Sequence, residues 1–459
     1  MRQNQWITVT AVTLLATLPA STLVAARPES SAFEGTYWFA HFDGPDDRHE
    51  HLLVTADGRS MRIDLADDGP LFAPGSLVRV HGKASEASLR PDGPAANSLE
   101  VLQAPRKGGG GGSGSGGGTT TPAPEPGPIP VTVRKTAVFL INFQNDASQP
   151  YSAGFARSVV FTDPGSANAF YQENSKGLLS LGGLEDATGD VFGWYTIPYG
   201  YQNCYTTYTS WAKAAKDAAV AQGHSLAGYD QFVYAFKAQG CPYSGWSFVG
   251  GSEAWINSLT PFTAAHEIGH SLGAYHANTY SCTTNSGQRV SISASCTSKE
   301  YGDPYDVMGA TFRHFNAYHK GQLRLLAANS TMTVTAEGTY TLAPIEFATN
   351  GLQSLRVARE SVQGAVTSYY YMDYRQSFGF DQFVSTDPAT RGVSVRLAPP
   401  YGSGAASQLL DMTPATTTFN DASLGVGARF FDAATGVAIT TLEAAPDHAT
   451  VQVQFGQRS

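Results

Sequence analysis

Apolar and polar positions divide the chain into stretches of different texture. Over 37–81, short apolar or alternating runs at 37–42, 51–55, 60–65 and 77–81 lie between Gly and Asp turns. This is the pattern of short strands. It predicts a small all-β unit over 27–106, an antiparallel barrel or sandwich. From 136 onward the texture changes. Continuous apolar runs at 136–143, 192–197 and 231–236 predict buried strands. Helical spacing over 167–181, with Phe170, Tyr171 and Leu178 on one face, and over 210–222 predicts helices, the second ended by Gly223. This alternation predicts an α+β or α/β domain over 131–328. Period-two runs at 331–335, 368–374, 393–397 and 450–455 then predict a β-sandwich over 329–459.

Two further segments break the pattern. Arg2, the apolar stretch 7–18 and the small residues Val24, Ala25 and Ala26 have the form of a secretory signal peptide over 1–26. Residues 107–130 run from Lys107 through Gly/Ser to Thr and Pro. They read as a linker, flexible first and stiffer after, and as a site for proteolysis. No strand precedes and no helix follows this glycine run, so it is not a phosphate-binding loop.

Composition narrows the picture. A chain of 459 residues with 48 Gly and only 15% charged residues is too long for one ordinary core and favours β-rich, loop-rich architecture. A net charge of -9 without a basic stripe argues against nucleic acid as a partner. No later run is long and apolar enough for a membrane span, so no membrane contact is expected of the mature chain, and a monomer is expected. The four cysteines, Cys204, Cys241, Cys282 and Cys296, suggest two disulfides in an exported protein. Three pairings are possible, and loop closure favours the local one, Cys204–Cys241 and Cys282–Cys296.

The candidate chemistry sits at His266-Glu267-Ile268-Gly269-His270-Ser271-Leu272-Gly273-Ala274-Tyr275-His276. Thr260 can cap a helix that Pro261 begins. On it His266 and His270 stand one turn apart on one face, as two zinc ligands require, and Glu267 lies beside that face as general base. Gly273 can take a left-handed conformation, stop the helix and bring His276 to the same ion. Three neutral histidines leave a fourth position open, the mark of a catalytic zinc site. Downstream, Gly302-Asp303-Pro304 signals a tight turn, and Met308 is placed to form an apolar floor under the metal. His49-Glu50-His51 offers a candidate substitute ligand, with a solvated strand end as the plainer reading. His314 and His319, near the last helix, read as structural or exposed.

HExxHxxGxxH followed by a Met-turn resembles the metzincin clan of zinc peptidases. The stretches 300–309 (EYGDPYDVMG), Phe315-Asn316-Ala317, 170–181 (FYQENSKGLLSL) and 193–198 (GWYTIP) resemble the gametolysin family within it. The likeness spans roughly 136–326, and more weakly 369–381 and 410–422. It implies one catalytic zinc on His266, His270 and His276, Glu267 as catalytic base and Met308 in the Met-turn. It also implies a strand within 246–253 that pairs with an extended protein or peptide substrate. Some members of the clan have a Tyr two residues after the Met; here that position is Ala310, leaving Tyr305, Tyr301 and Tyr275 as open choices. Residues 27–106 hold no Cys, which excludes a cysteine switch, and they could be a propeptide or a permanent accessory module. Nothing in the sequence supports a calcium site. The expectation is a secreted zinc endopeptidase. The alternative is an extracellular glycan- or protein-binding protein with a vestigial protease core.

Overall fold

The structure is a computed structural model that describes residues 31–456, apart from 44–47, 58, 66–70, 86–87, 93, 105–127 and 205–206. The predicted signal peptide and nearly all of the linker lie outside the described residues.

The first unit is a small barrel. Strand Ser31–Asp43 is long enough to pair twice. Its first half runs antiparallel to Leu77–Ala84, and its second half runs antiparallel to Arg48–Val54. The barrel closes over Tyr37, Leu53, Met61, Ile63, Val78, Val80, Leu89 and Leu99. The end of the same strand, Ala40 to Asp43, also pairs antiparallel with Gly245–Phe248. Barrel and central sheet are therefore one twelve-stranded sheet.

In the central part, Thr132–Phe143 lies parallel to Leu179–Gly182, Asp190–Ile197 and Gln231–Ala235. Gln231–Ala235 lies parallel to Glu253–Ile256, and Gly245–Phe248 runs antiparallel to that strand. Alternation along Thr132–Phe143 serves two cores. Val138 and Leu140 face helices Ala167–Asn174 and Pro261–Leu272, while Ala137, Phe139, Ile141 and Phe143 face helix Tyr208–Ala221. The disulfides are Cys204–Cys241 and Cys282–Cys296, the local pairing.

A nine-stranded sheet and a four-stranded sheet hold most of the remainder. They share a core of Val334, Leu355, Val357, Tyr370, Met372, Val395, Ile439, Val451 and Val453. Among the described residues no helix is long and apolar enough to cross a membrane.

The expectation of an α+β or α/β metzincin-like domain is corrected. The chain is mostly β, with 41% strand and 15% helix. Local periodicity reports which residues extend but not which sheet recruits them. Here the strands of 131–328 join sheets whose other members come from 31–103 and from beyond 329. Strand Ala277–Thr283, directly after the third histidine, pairs in parallel with Ser407–Leu410. The helix expected over 167–181 ends at Asn174. The Asn174 amide turns back to the Phe170 carbonyl, Lys176 and Gly177 take positive φ, and Leu179–Gly182 joins the sheet.

Candidate metal centre

Helix Pro261–Leu272 forms as its sequence dictates. Thr260 is the N-cap, its hydroxyl accepting from the Thr263 amide at 3.1 Å, and Pro261 opens the first turn. Gly273 ends the helix at φ 110°, a left-handed conformation that a side chain would disfavour. The chain then doubles back and sets His276 beside His270.

The three imidazoles converge. The Nε2 atoms of His270 and His276 lie 3.0 Å apart. Each ring is fixed from behind. His266 Nδ1 donates to the Val307 carbonyl at 2.7 Å and His270 Nδ1 to the Ala274 carbonyl at 2.8 Å, while His276 Nδ1 contacts Glu300 Oε1. A carbonyl only accepts, so the proton of a neutral His266 or His270 sits on Nδ1 and the Nε2 lone pair faces the centre. This arrangement is how protein scaffolds orient metal-binding histidines.

A fourth group completes the cluster. Asp43, the last residue of strand Ser31–Asp43, places Oδ2 3.0 Å from His266 Nε2, and Oδ1 3.1 Å from His276 Nε2 and 3.8 Å from His270 Nε2. The four ligand atoms all lie within 4.8 Å of one another. Tetrahedral zinc with bonds of about 2.0–2.1 Å separates its ligand atoms by about 3.4 Å, so the spacing fits such an ion. His266 Nε2 and Asp43 Oδ2 are close yet not aligned as a hydrogen bond, and both stay buried without one. Groups that face a common ion, rather than each other, have this geometry.

Charge follows from burial and neighbours. Burial alone would raise the Asp43 carboxyl, but His266 and the other two imidazoles hold it well below the usual carboxylate range. Burial lowers His270 to about 4, so this ring is neutral, as a ligand must be. Burial disfavours charge on His266 too, but the Asp43 carboxylate leaves it raised. Glu267 is fully buried, and neither of its oxygens has a hydrogen-bond donor. Burial, reinforced by the negative charge of Asp43, pushes its carboxyl well above the ordinary range.

A cleft of about 480 Å³ opens beside these groups, lined by Asp43, Phe262, His266, Glu267, Tyr301 and Ala310 among others. Gly245, on the strand above, is close enough that a Cβ there would collide with the Glu267 carboxylate. Met308 is fully buried, and a Cβ on Gly269 would stand 2.7 Å from its sulfur, so the methionine packs directly beneath the helix that carries His266 and His270. Asp306 pins that turn by accepting from the Met308 amide at 2.7 Å and from His319 Nδ1 at 2.9 Å.

The three tyrosines are now distinguishable. Tyr305 donates to the Asn420 carbonyl at 2.5 Å, away from the cleft. Tyr275 packs against Phe39 and Val249. Tyr301 lines the cleft, its ring 4.0 Å from that of His276, and it donates to Asp43 Oδ1 at 2.7 Å. Its φ of 53° is unusual for a side-chain-bearing residue.

His49-Glu50-His51 supplies no ligand to the cluster of Asp43 and the three histidines. His51 bonds the Tyr37 hydroxyl at 2.8 Å, and Glu50 pairs with Arg48. His49 uses Nδ1 toward His41 at 3.1 Å and Nε2 toward Glu300 at 3.6 Å. His41, His49 and Glu300 each offer a ligand atom within 4.8 Å of the others and form a second group, apart from the first, that could hold a metal ion. His314 and His319 are buried and hydrogen-bonded. Asp43 escaped the sequence reading because a lone Asp before a Gly resembles any turn. Its one signal is its position at the end of an aromatic strand in a unit that lacks cysteine.

The chain matches no known family model, and no curated protein is similar to it.

Proposed function

We propose that this chain is a zinc endopeptidase acting on extracellular proteins. The observation that carries the reading is the meeting of three Nε2 atoms, each ring anchored at Nδ1, beside a buried carboxylate that has no donor of its own. A bound zinc ion would supply Lewis acidity, activating a water and polarising the scissile carbonyl. His266, His270 and His276 would hold it. Glu267 would take the proton of the attacking water and pass it to the leaving amine. Tyr301, with its hydroxyl in the cleft, would donate to the oxygen on which charge develops. The two disulfides support export. The resemblance to gametolysin-like peptidases agrees with this reading and rests on the motif and the turn at Met308.

The test is metal content together with a peptide-library cleavage profile, on wild type and Glu267→Ala. The expected result is one zinc per chain and cleavage that is lost with a chelator and in Glu267→Ala. Full activity in Glu267→Ala overturns the reading.

A further inference from the structure

We infer that His41, His49 and Glu300 form a second metal site, separate from the three-histidine centre, that takes a divalent transition-metal ion such as zinc. The inference goes beyond the peptidase reading and does not rest on it. Each of the three residues offers a ligand atom within 4.8 Å of the others. Two imidazoles and a carboxylate are donors that suit zinc and its neighbours, whereas calcium and magnesium take oxygen donors.

The strands build the site. His41 and His49 stand directly opposite each other on the antiparallel pair Ser31–Asp43 and Arg48–Val54. Their side chains therefore leave the same face of the sheet side by side. Their Nδ1 atoms lie 3.1 Å apart, close to the separation of about 3.4 Å between two ligand atoms on tetrahedral zinc. Packing holds both rings. His41 stacks on His270 with centroids 4.9 Å apart and planes at 6°, and His49 stacks on Phe39 at 5.6 Å and 21°. Glu300 follows strand Ser295–Lys299 and brings an oxygen to 3.6 Å from His49 Nε2.

Hydrogen bonding alone leaves this group incomplete. His41 Nε2 is buried with no hydrogen-bond partner among the described residues. The two Nδ1 atoms can bond only if one of them carries the proton. If neutral His41 carries it, Nε2 is a buried lone pair with no donor. If neutral His49 carries it, a bare Nε2 faces the Glu300 carboxylate. A protonated His49 satisfies itself and Glu300, yet leaves His41 with a buried N–H that has no acceptor. A shared cation turns both contacts, nitrogen to nitrogen and nitrogen to carboxylate, into joint ligation.

The His49 and Glu300 side chains are 22% and 20% exposed, so an ion can enter from solvent. Three ligands and an open side should hold an ion less tightly than the buried centre does. The second ion should be lost on dialysis and regained on titration. Glu300 also contacts His276 Nδ1, so the two centres share a carboxylate, and His49 is the residue whose loss affects the second site alone.

The experiment titrates the dialysed full chain with zinc by calorimetry, for wild type, His49→Ala and His49→Gln, with folding checked by melting curves. Both variants should take up one equivalent fewer than wild type, whatever the three-histidine centre holds. Added zinc should raise the melting temperature of wild type more than that of either variant, because an ion bound only by the folded chain stabilises it. Equal uptake by wild type and both variants overturns the site. Any further ion then lies elsewhere on the surface, and the trio is a hydrogen-bonded group with a protonated His49. Cleavage is decided separately, by Glu267→Ala.

Discussion

The Tyr301 hydroxyl donates to Asp43 Oδ1 at 2.7 Å across 258 positions of sequence. The oxygen it touches is the one 3.1 Å from His276 Nε2. On the peptidase reading, the phenol is aimed at the centre where a carbonyl oxygen would gather charge. Tyr301→Phe should then lower kcat by about 100-fold with KM nearly unchanged, as for loss of one oxyanion donor. Separate measurement of kcat and KM on a good library peptide checks it. An unchanged kcat removes Tyr301 from the reaction.

Glu300 contacts His276 Nδ1 and, through its other oxygen, His49 at 3.6 Å. It therefore orients the His276 ring from behind. Glu300→Gln should weaken zinc binding by about 10- to 100-fold, the usual effect of losing a partner behind a metal-bound histidine. Competition with a chelator of known affinity measures this. An affinity equal to wild type would show that the Gly273 bend alone positions His276.

Gly245 stands against the Glu267 carboxylate. In Gly245→Ala the carboxylate must swing aside while the three histidines keep their anchors. Cleavage should fall about tenfold or more, as a displaced general base implies, with zinc content intact. Loss of zinc together with activity would point instead to a wider collapse of the edge strand.

His314 is buried, and burial holds its pKa at about 4, with Lys320 adding to the effect. Its Nδ1 accepts from Lys320 Nζ at 3.0 Å, and its Nε2 donates to Glu173 at 2.6 Å. The ring is neutral in the fold and ordinary in the unfolded chain, with a pKa near 6.5 there. Unfolding therefore takes up a proton below about pH 6.5, and stability should fall with acid until the folded ring itself protonates near 4. The loss is on the order of 2–3 kcal/mol. Melting temperatures between pH 7 and pH 4 should drop less in His314→Gln than in wild type. Parallel curves would refute this assignment.

The legible and illegible parts of the molecule divide along a physical line. The helix at 261–272 and its bend are local events, set by Thr260, Pro261 and Gly273, and they appear as the sequence implies. Met308 was expected from the Gly302-Asp303-Pro304 turn and its place after the third histidine, and it packs against Gly269 of that helix. Asp43 was not, because its meaning comes from a strand pairing between residues some two hundred positions apart. Sheet membership was equally hidden. Residues 277–283 carried no strand expectation, and only the finished fold shows Ala277–Thr283 joined to Ser407–Leu410. The same limit undid the α/β expectation for 131–328.

The third histidine belongs to two neighbourhoods at once. Its backbone carbonyl accepts from the Ser407 amide at 3.2 Å, and the turn beneath the metal is clamped by Arg396 on Asp303 at 2.7 Å. Both clamps come from beyond residue 390. A fragment stopping at 328 would retain every ligand by name while losing the masonry that keeps His276 in place. The last part of the chain is thus no detachable passenger: it is part of the frame on which the third histidine rests.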